Sequence, residues 1–528
     1  MSFLKLAFLA GFAATASATA YVNQTSKSLH HFQPCNGKQY TYQELAGYGY
    51  VPSNARDEFG DTIGGMGSAL ALDRSQWKKL ANGSYTGVVW ALPDRGWNTQ
   101  GTLNFQPRVH KFNLLFTPNE TATVVNPSPN NLHLWYSETI RFFGPDGTPC
   151  TGLDADATGH ITFAGFPDLP GATYTGDGFG GAGPGGKRIV IDSEGIILND
   201  DGTFWISDEY GPFIYRFSAA GIMLGAIRPV DAIIPMRNGT ESFSADSPAV
   251  YDVGVSDDVS PADNPTGRDN NHGFEGLSAS GDGKTLWVLL QAANNQEGGL
   301  SKQTQRYSRL LKYDITKPDA PRYAREFVVP LPLYNDPTAK ASKNPKAAAQ
   351  SDIFNVQGDQ FFILSRDSSA GNGQAVTTSV YRQIDVFDIS VATDVKAAGG
   401  YDCATCNIAS SAGVLNSSIV PVTYCSFLDF NVNSQLNRFG LHNGGVTDKG
   451  LLNEKWESIG IVPVDGGVGD DDEWFVFSFS DNDFITQDGY MNGGAYPYSD
   501  ASGFNLDNQA LVFKISLPAH SRPFPRDP

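Results

Sequence analysis

A strand that opens on an acidic residue recurs along this chain, and the recurrence restricts its fold more than any other feature. Ile191-Asp192-Ser193-Glu194-Gly195-Ile196-Ile197-Leu198 leads through the turn Asp200-Asp201-Gly202 to Phe204-Trp205-Ile206-Ser207-Asp208 and then Phe213-Ile214-Tyr215-Arg216-Phe217. A second copy runs from Phe274-Glu275-Gly276-Leu277 through Gly281-Asp282-Gly283 to Leu286-Trp287-Val288-Leu289-Leu290, with Arg309-Leu310-Leu311-Lys312-Tyr313-Asp314 after an insertion. A third begins Lys455-Trp456-Glu457-Ser458-Ile459, continues in Glu473-Trp474-Phe475-Val476-Phe477-Ser478-Phe479-Ser480-Asp481 and ends in Ala510-Leu511-Val512-Phe513-Lys514-Ile515. Two weaker copies keep the strand order with a different first residue, at 67–96 and 352–367.

The second strand of each copy is rich in aromatic and β-branched residues and often follows an Asp-Gly or Gly-Asp turn, as a strand between two neighbours requires. Helical periodicity is nearly absent, and 57 glycines and 31 prolines punctuate the chain. The expectation is an all-β chain. A large β-sandwich also spaces short strands between turns, but a glutamate repeated at the strand head favours a β-propeller, where radial symmetry gathers the heads around one channel. Five blades can be counted, and insertions at 104–187, 231–271 and 391–453 leave room for a sixth or seventh. Residues 40–51 are expected to complete the last blade after 511–517.

The first 20 residues have the layout of a secretory leader: Lys5, an apolar stretch over 6–14, then small residues ending Ala18-Thr19-Ala20. No later stretch offers the ~20 apolar residues of a membrane span, so a soluble extracellular protein is expected. Asn-x-Ser/Thr sites at Asn23, Asn82, Asn119, Asn238 and Asn416 agree with that route as glycosylation acceptors. The five cysteines, Cys35, Cys150, Cys403, Cys406 and Cys425, suit an oxidising compartment with one or two disulfides and a thiol over. Cys403 and Cys406 read as a loop staple rather than a redox or zinc pair, since no second CxxC and no βαβ pattern accompany them. Cys35 with Cys150 is the natural remaining pair. A formal charge of −19 argues against nucleic-acid and anionic-membrane partners.

Gly64-Gly65, Asp94-Arg95-Gly96, Asp192-Ser193-Glu194-Gly195-Ile196, Ser207-Asp208-Glu209-Tyr210-Gly211-Pro212, Gly273-Phe274-Glu275-Gly276-Leu277, Arg366-Asp367 and Ser480-Asp481-Asn482-Asp483-Phe484 fall in an order that resembles the phytase-like family, described by an esterase-like activity of phytase. The resemblance covers roughly 64–517, the phytase-like propeller, so the chain is expected to divide into the leader (1–20), an N-terminal segment closing the last blade (21–63), that propeller and a tail (518–528). It implies a secreted protein that hydrolyses esters. Ser458 stands where a glycine is expected after the glutamate, which bears on how closely the backbones approach there.

Glu194, Glu275 and Glu457 occupy equivalent places in three copies, and Asp208, Asp481 and Asp483 follow the second strands of two. Carboxylates gathered without a counter-charge must protonate, pair with a base or bind a cation. Calcium, with roughly six to eight oxygen ligands in irregular geometry, suits such a set, while the lack of positioned histidines and cysteines argues against zinc. His272, Arg95, Arg366 and Tyr210 are the candidates for proton transfer and oxyanion stabilisation. No Gly-x-Ser-x-Gly elbow and no Arg-His-Gly phytase motif is present. The leading expectation is a metal-assisted hydrolase of a small phosphate or carboxylic ester; its rival is a non-catalytic extracellular binding propeller with a structural calcium ion. Nothing in the sequence sets the oligomeric state.

Overall fold

The computed structural model describes residues 31–252, 259–467, 472–519, 521 and 523; the expected leader, Asn23, Asp470 and Asp471 lie outside them. Five antiparallel sheets account for most of the described strands. The first comprises Ala69–Lys79, Tyr85–Leu92, Arg108–Phe116 and Leu132–Arg141, and the second Ser193–Leu198, Phe204–Asp208, Ile214–Phe217 and Met223–Ile227. The third comprises Phe274–Ala279, Thr285–Leu290, Tyr307–Asp314 and Arg322–Pro330, and the fourth Ala349–Gln357, Gln360–Arg366, Arg382–Asp388 and Thr423–Asp429. In the fifth, Lys455–Trp456 and Gly460–Pro463 both pair with Glu473–Asp481, which pairs with Asn508–Ser516. Lys38–Val51 then adds to Asn508–Ser516, with Leu45 opposite Phe513, and His31–Cys35 forms the edge.

Two stretches read as insertions belong to the sheets. Arg108–Phe116 and Leu132–Arg141 complete the first sheet, and Thr423–Asp429 completes the fourth. Both outermost strands, Leu132–Arg141 and Thr423–Asp429, are only partly buried and carry several polar side chains, so their apolar signal is weak.

The sheets stack face to face through aromatic side chains. Trp77 stacks on Tyr85 at 5.1 Å, and both meet Phe475 edge-on between the first and fifth sheets. Phe142 and Phe204 join the first sheet to the second, and Trp287 and Phe361 the third to the fourth. Edge-to-face and offset pairs of this kind add about 0.5–1.5 kcal/mol each beyond area burial. The leading strands also touch one another: Ser193–Leu198 packs on Ala69–Lys79 and on Phe274–Ala279, Phe274–Ala279 on Ala349–Gln357, and Gly460–Pro463 on Ala69–Lys79. Ile459 N donates to Asp352 Oδ2 at 2.7 Å, tying the fifth sheet to the fourth. At Gly195 an added Cβ would lie 2.6 Å from Leu277 Cβ, so this approach of neighbouring strands requires glycine. Ser458 is tolerated at the related position because its hydroxyl turns back to Phe479, accepting from the amide at 3.0 Å.

The cysteines pair as Cys35–Cys425 and Cys403–Cys406, and Cys150 is a buried free thiol. The expected Cys35–Cys150 pair is therefore incorrect. Cys35 sits at the edge of the fifth sheet beside the outer strand of the fourth, whereas Cys150 is packed with Phe142 and Ile189 in the core of the first and second sheets. The Cys35–Cys425 bond closes a loop of 390 residues, the Cys403–Cys406 bond one of 3. Cys425→Ser is expected to destabilise by about 2–5 kcal/mol and Cys403→Ser by much less, a contrast readable in urea midpoints.

Asn82, Asn238 and Asn416 are exposed, and Asn119 is half-buried with its amide donating to Ser128 Oγ. No helix among the described residues is long and apolar enough to cross a membrane.

Candidate functional site

Each glutamate of the repeat sits where its leading strand breaks register. The pairing of Ser193–Leu198 shifts between Ser193 and Gly195, which isolates Glu194, and that of Phe274–Ala279 shifts between Phe274 and Leu277, around Glu275. Glu457 lies in the gap between Lys455–Trp456 and Gly460–Pro463. A bulge re-aims a side chain out of the strand's alternation, and all three carboxylates line one cavity of about 170 Å³.

The same cavity takes residues from every sheet. Asp94 and Arg95 follow the second strand of the first sheet, Gln291 that of the third, and Arg366 ends that of the fourth; Lys455 comes from the leading strand of the fifth. Asp192, Glu209, Asn271, His272 and Asp483 enter from flanking loops.

Three fixed cations serve as internal counter-charges. Arg366 pairs with Glu457. Arg95 lies 3.3 Å from Asp192 and donates to Tyr210 Oη at 2.9 Å and to Asn271 Oδ1. Lys455 Nζ lies 2.5 Å from Asp481, 2.9 Å from Asp483 and 3.6 Å from Glu457. Burial opposes the lysine charge, but Asp481 and its neighbours overcome it and raise the ammonium pKa well above the usual value.

The other carboxylates are poorly compensated. Glu194, Glu209 and Glu275 have no ion pair among the described residues. Burial, reinforced by Glu275, raises the pKa of both Glu194 and Glu209 well above the ordinary range, and burial with Glu457 does the same to Glu275. Glu209 and Glu275 are each 2 % exposed. Glu275 accepts from Gln291 through one oxygen, while its Oε2, like Glu209 Oε1, is buried without a hydrogen-bond partner.

Two expected roles change. Asp208 does not face the cavity: it accepts from the amides of Asp192, Tyr210 and Gly211 and from Tyr215 Oη, and burial pushes its pKa up to about 7. It organises the loop that presents Glu209. Tyr210 is fully buried behind Arg95, so it positions that guanidinium and does not reach a ligand. His272 lines the cavity with Nδ1 3.3 Å from Asp269 Oδ2, and Asp481 lies behind Asp483 on Lys455.

Asp94, Asp192, Glu209 and Lys455 were not singled out from the sequence as site residues. Glu209 follows Asp208 directly, and the alternation of a strand end does not say which of the two turns inward. Gly273 brings the loop close to it: an added Cβ there would lie 2.0 Å from the Glu209 carbonyl oxygen.

Fold and site together define an all-β protein whose antiparallel sheets converge on a buried, carboxylate-rich cavity. Residues 62–467 match the family described as phytase-like, with esterase-like activity of phytase, and the chain belongs to that family. A relative from Arthroderma benhamiae, described as an uncharacterized secreted protein, is 51 % identical over 485 residues, covering 91 % of this chain and 94 % of the relative. Among solved structures, a putative 6-phosphogluconolactonase from Bacteroides uniformis aligns over 89 % of this chain and 99 % of its own at 11 % identity and a TM-score of 0.27. A luciferin-regenerating enzyme aligns over 88 % and 97 % at 9 % identity and a TM-score of 0.26. Likeness at that level supports no functional comparison.

Proposed function

We propose that this protein is a secreted, metal-assisted hydrolase of phosphate or carboxylic esters, acting in the acidic cavity of a five-bladed β-propeller. The ring is supported by leading strands that touch in order from the first sheet to the fourth, by the Ile459–Asp352 hydrogen bond between the fifth and the fourth, and by the contact of the fifth with the first. Family membership and the secreted relative support the hydrolase and its destination.

The observation that carries the reading is the pair of buried carboxylate oxygens, Glu209 Oε1 and Glu275 Oε2, left without partners on the cavity wall. Such atoms are costly to bury unless something fills the space between them. The donors are oxygens of carboxylates, a set that fits a hard cation such as calcium. Bound there, the cation would polarise an ester oxygen and acidify a water.

The protein's own groups supply the rest. Arg366 and Arg95 present guanidinium N–H groups at the cavity wall, suited to an oxygen that gains negative charge in the transition state. Tyr210 and Asn271 fix Arg95 so that little reorganisation is needed. His272, oriented by Asp269, is placed to move a proton to or from the attacking water or the leaving group.

Purified protein screened against phytate, phosphomonoesters, phosphodiesters, aryl esters and lactones, with and without chelator, tests this. Turnover on at least one class, lost in chelator and restored by calcium, is the expected result. Absence of turnover on every class, with chelator changing only the melting temperature, would leave a binding protein. Calcium at 100 times its Kd should stabilise the folded chain by about 2.7 kcal/mol.

A further inference from the structure

Two separate carboxylate triads flank the cavity, and all their members but Asp481 line it. In each, one oxygen from every member lies within 4.8 Å of the others: Asp94, Asp481 and Asp483 on one side, Asp192, Glu194 and Glu209 on the other. Their surroundings differ in a way that decides what each can bind.

The first triad already contains a cation. Lys455 stands directly opposite Asp481 in the antiparallel register of the fifth sheet, so the backbone delivers its side chain to this spot. Its ammonium lies 2.5 Å from Asp481 and 2.9 Å from Asp483. Asp94 is held by the amide of Gly96 at 3.1 Å and the side chain of Asn98 at 3.0 Å. Each carboxylate of the triad thus has a donor, and a tethered charge competes with free ions at high effective concentration.

The second triad has no such tenant. Arg95 reaches only Asp192, at 3.3 Å, and its Nη1 is shared with Tyr210 and Asn271. Glu194 and Glu209 have no cationic partner among the described residues, and Oε1 of the cavity-lining Glu209 is buried without a hydrogen-bond partner. Glu275, which lines the same cavity, has a further such oxygen in Oε2.

We infer that the cavity takes one oxygen-seeking divalent cation, seated on Asp192, Glu194, Glu209 and Glu275, and that the Lys455 ammonium permanently occupies the triad of Asp94, Asp481 and Asp483 as a built-in counter-ion. This rests on the proposed hydrolase only for the use made of the ion. The two triads would then hold one exchangeable and one covalently tethered positive centre, so that only one metal is needed.

Calcium titration of chelator-treated full-length protein, followed by calorimetry, tests the assignment without reference to turnover. Glu209→Gln should weaken binding by about 100-fold or more, whereas Asp483→Asn should leave the affinity within about threefold, because Lys455 and not the ion would lose a partner. Lys455→Met should bind one more calcium per chain than the parent. Equal losses in Glu209→Gln and Asp483→Asn, or an unchanged affinity in Glu209→Gln, overturn the assignment, and so does an unchanged stoichiometry in folded Lys455→Met. If Lys455→Met does not fold, the two carboxamide variants still decide the seat. A chain that follows this binding pattern yet hydrolyses nothing sinks the hydrolase reading and leaves the cation seat standing.

Discussion

Replacing Glu275 by glutamine is expected to lower calcium-dependent ester hydrolysis by about 100-fold or more and, in the presence of chelator, to make the protein more stable than its parent. The activity loss follows from removing a charged oxygen donor at the proposed ion seat; partners one shell further out already change affinity or activity by about 10–100-fold. The gain in stability has a separate origin. Glu275 is buried beside Glu457 and Glu194, carries an oxygen without a partner and holds its proton more tightly than an ordinary glutamate. An amide of the same shape is neutral without having to take up a proton on burial and can donate to a neighbouring carboxylate, which is expected to contribute about 1–3 kcal/mol. Thermal melts at neutral pH in chelator and in calcium should therefore rank the two proteins in opposite order. A variant less stable in both conditions would show that Glu275 holds the sheets together and carries no functional strain.

The second large effect lies away from the cavity. Arg309, Glu297 and Glu326 form a triad with fully buried side chains, with guanidinium nitrogens 2.5 Å from Glu297 and 2.7 Å from Glu326. Arg309 also donates to the Tyr401 carbonyl, and Glu297 accepts from the Ile408 amide, so the triad docks the loop after the fourth sheet's third strand onto the third sheet. Arg309→Met strands two carboxylates in the interior and is expected to destabilise by about 3–5 kcal/mol. Adding Glu297→Gln and Glu326→Gln should recover most of that loss, because the penalty comes from unpaired charge and not from missing contacts. Urea unfolding of the single and triple variants separates the two accounts.

How far the sequence disclosed this molecule can be followed residue by residue. The aromatic second strands were legible because burial on both faces favours consecutive apolar residues, as in Trp474-Phe475-Val476-Phe477 of Glu473–Asp481. Glu194, Glu275 and Glu457 were legible as equivalents because repetition marked them. Their company was not. Lys455 and Asp481 lie 26 residues apart and meet only through strand register, Asp94 meets the cavity through the loop after the second strand of the first sheet, and Asp192 through the segment leading into the second sheet. Asp208 was misread for a local reason: at a strand end a carboxylate can turn back to nearby amides, which depends on backbone angles that composition does not encode. The cysteine pairing failed similarly, since Cys35 and Cys425 approach only when the chain's two ends share a sheet.

That shared sheet has a consequence for how the protein is made. Residues 38–51 emerge during synthesis long before the strand they pair with, Asn508–Ser516. At ~5–20 residues per second the early segment waits about half a minute to a minute and a half for its partner. Until then an unpaired apolar ribbon is offered to any other strand edge nearby, so newly made chains should depend on chaperone cover throughout translation, and truncation shortly before residue 508 should yield aggregates.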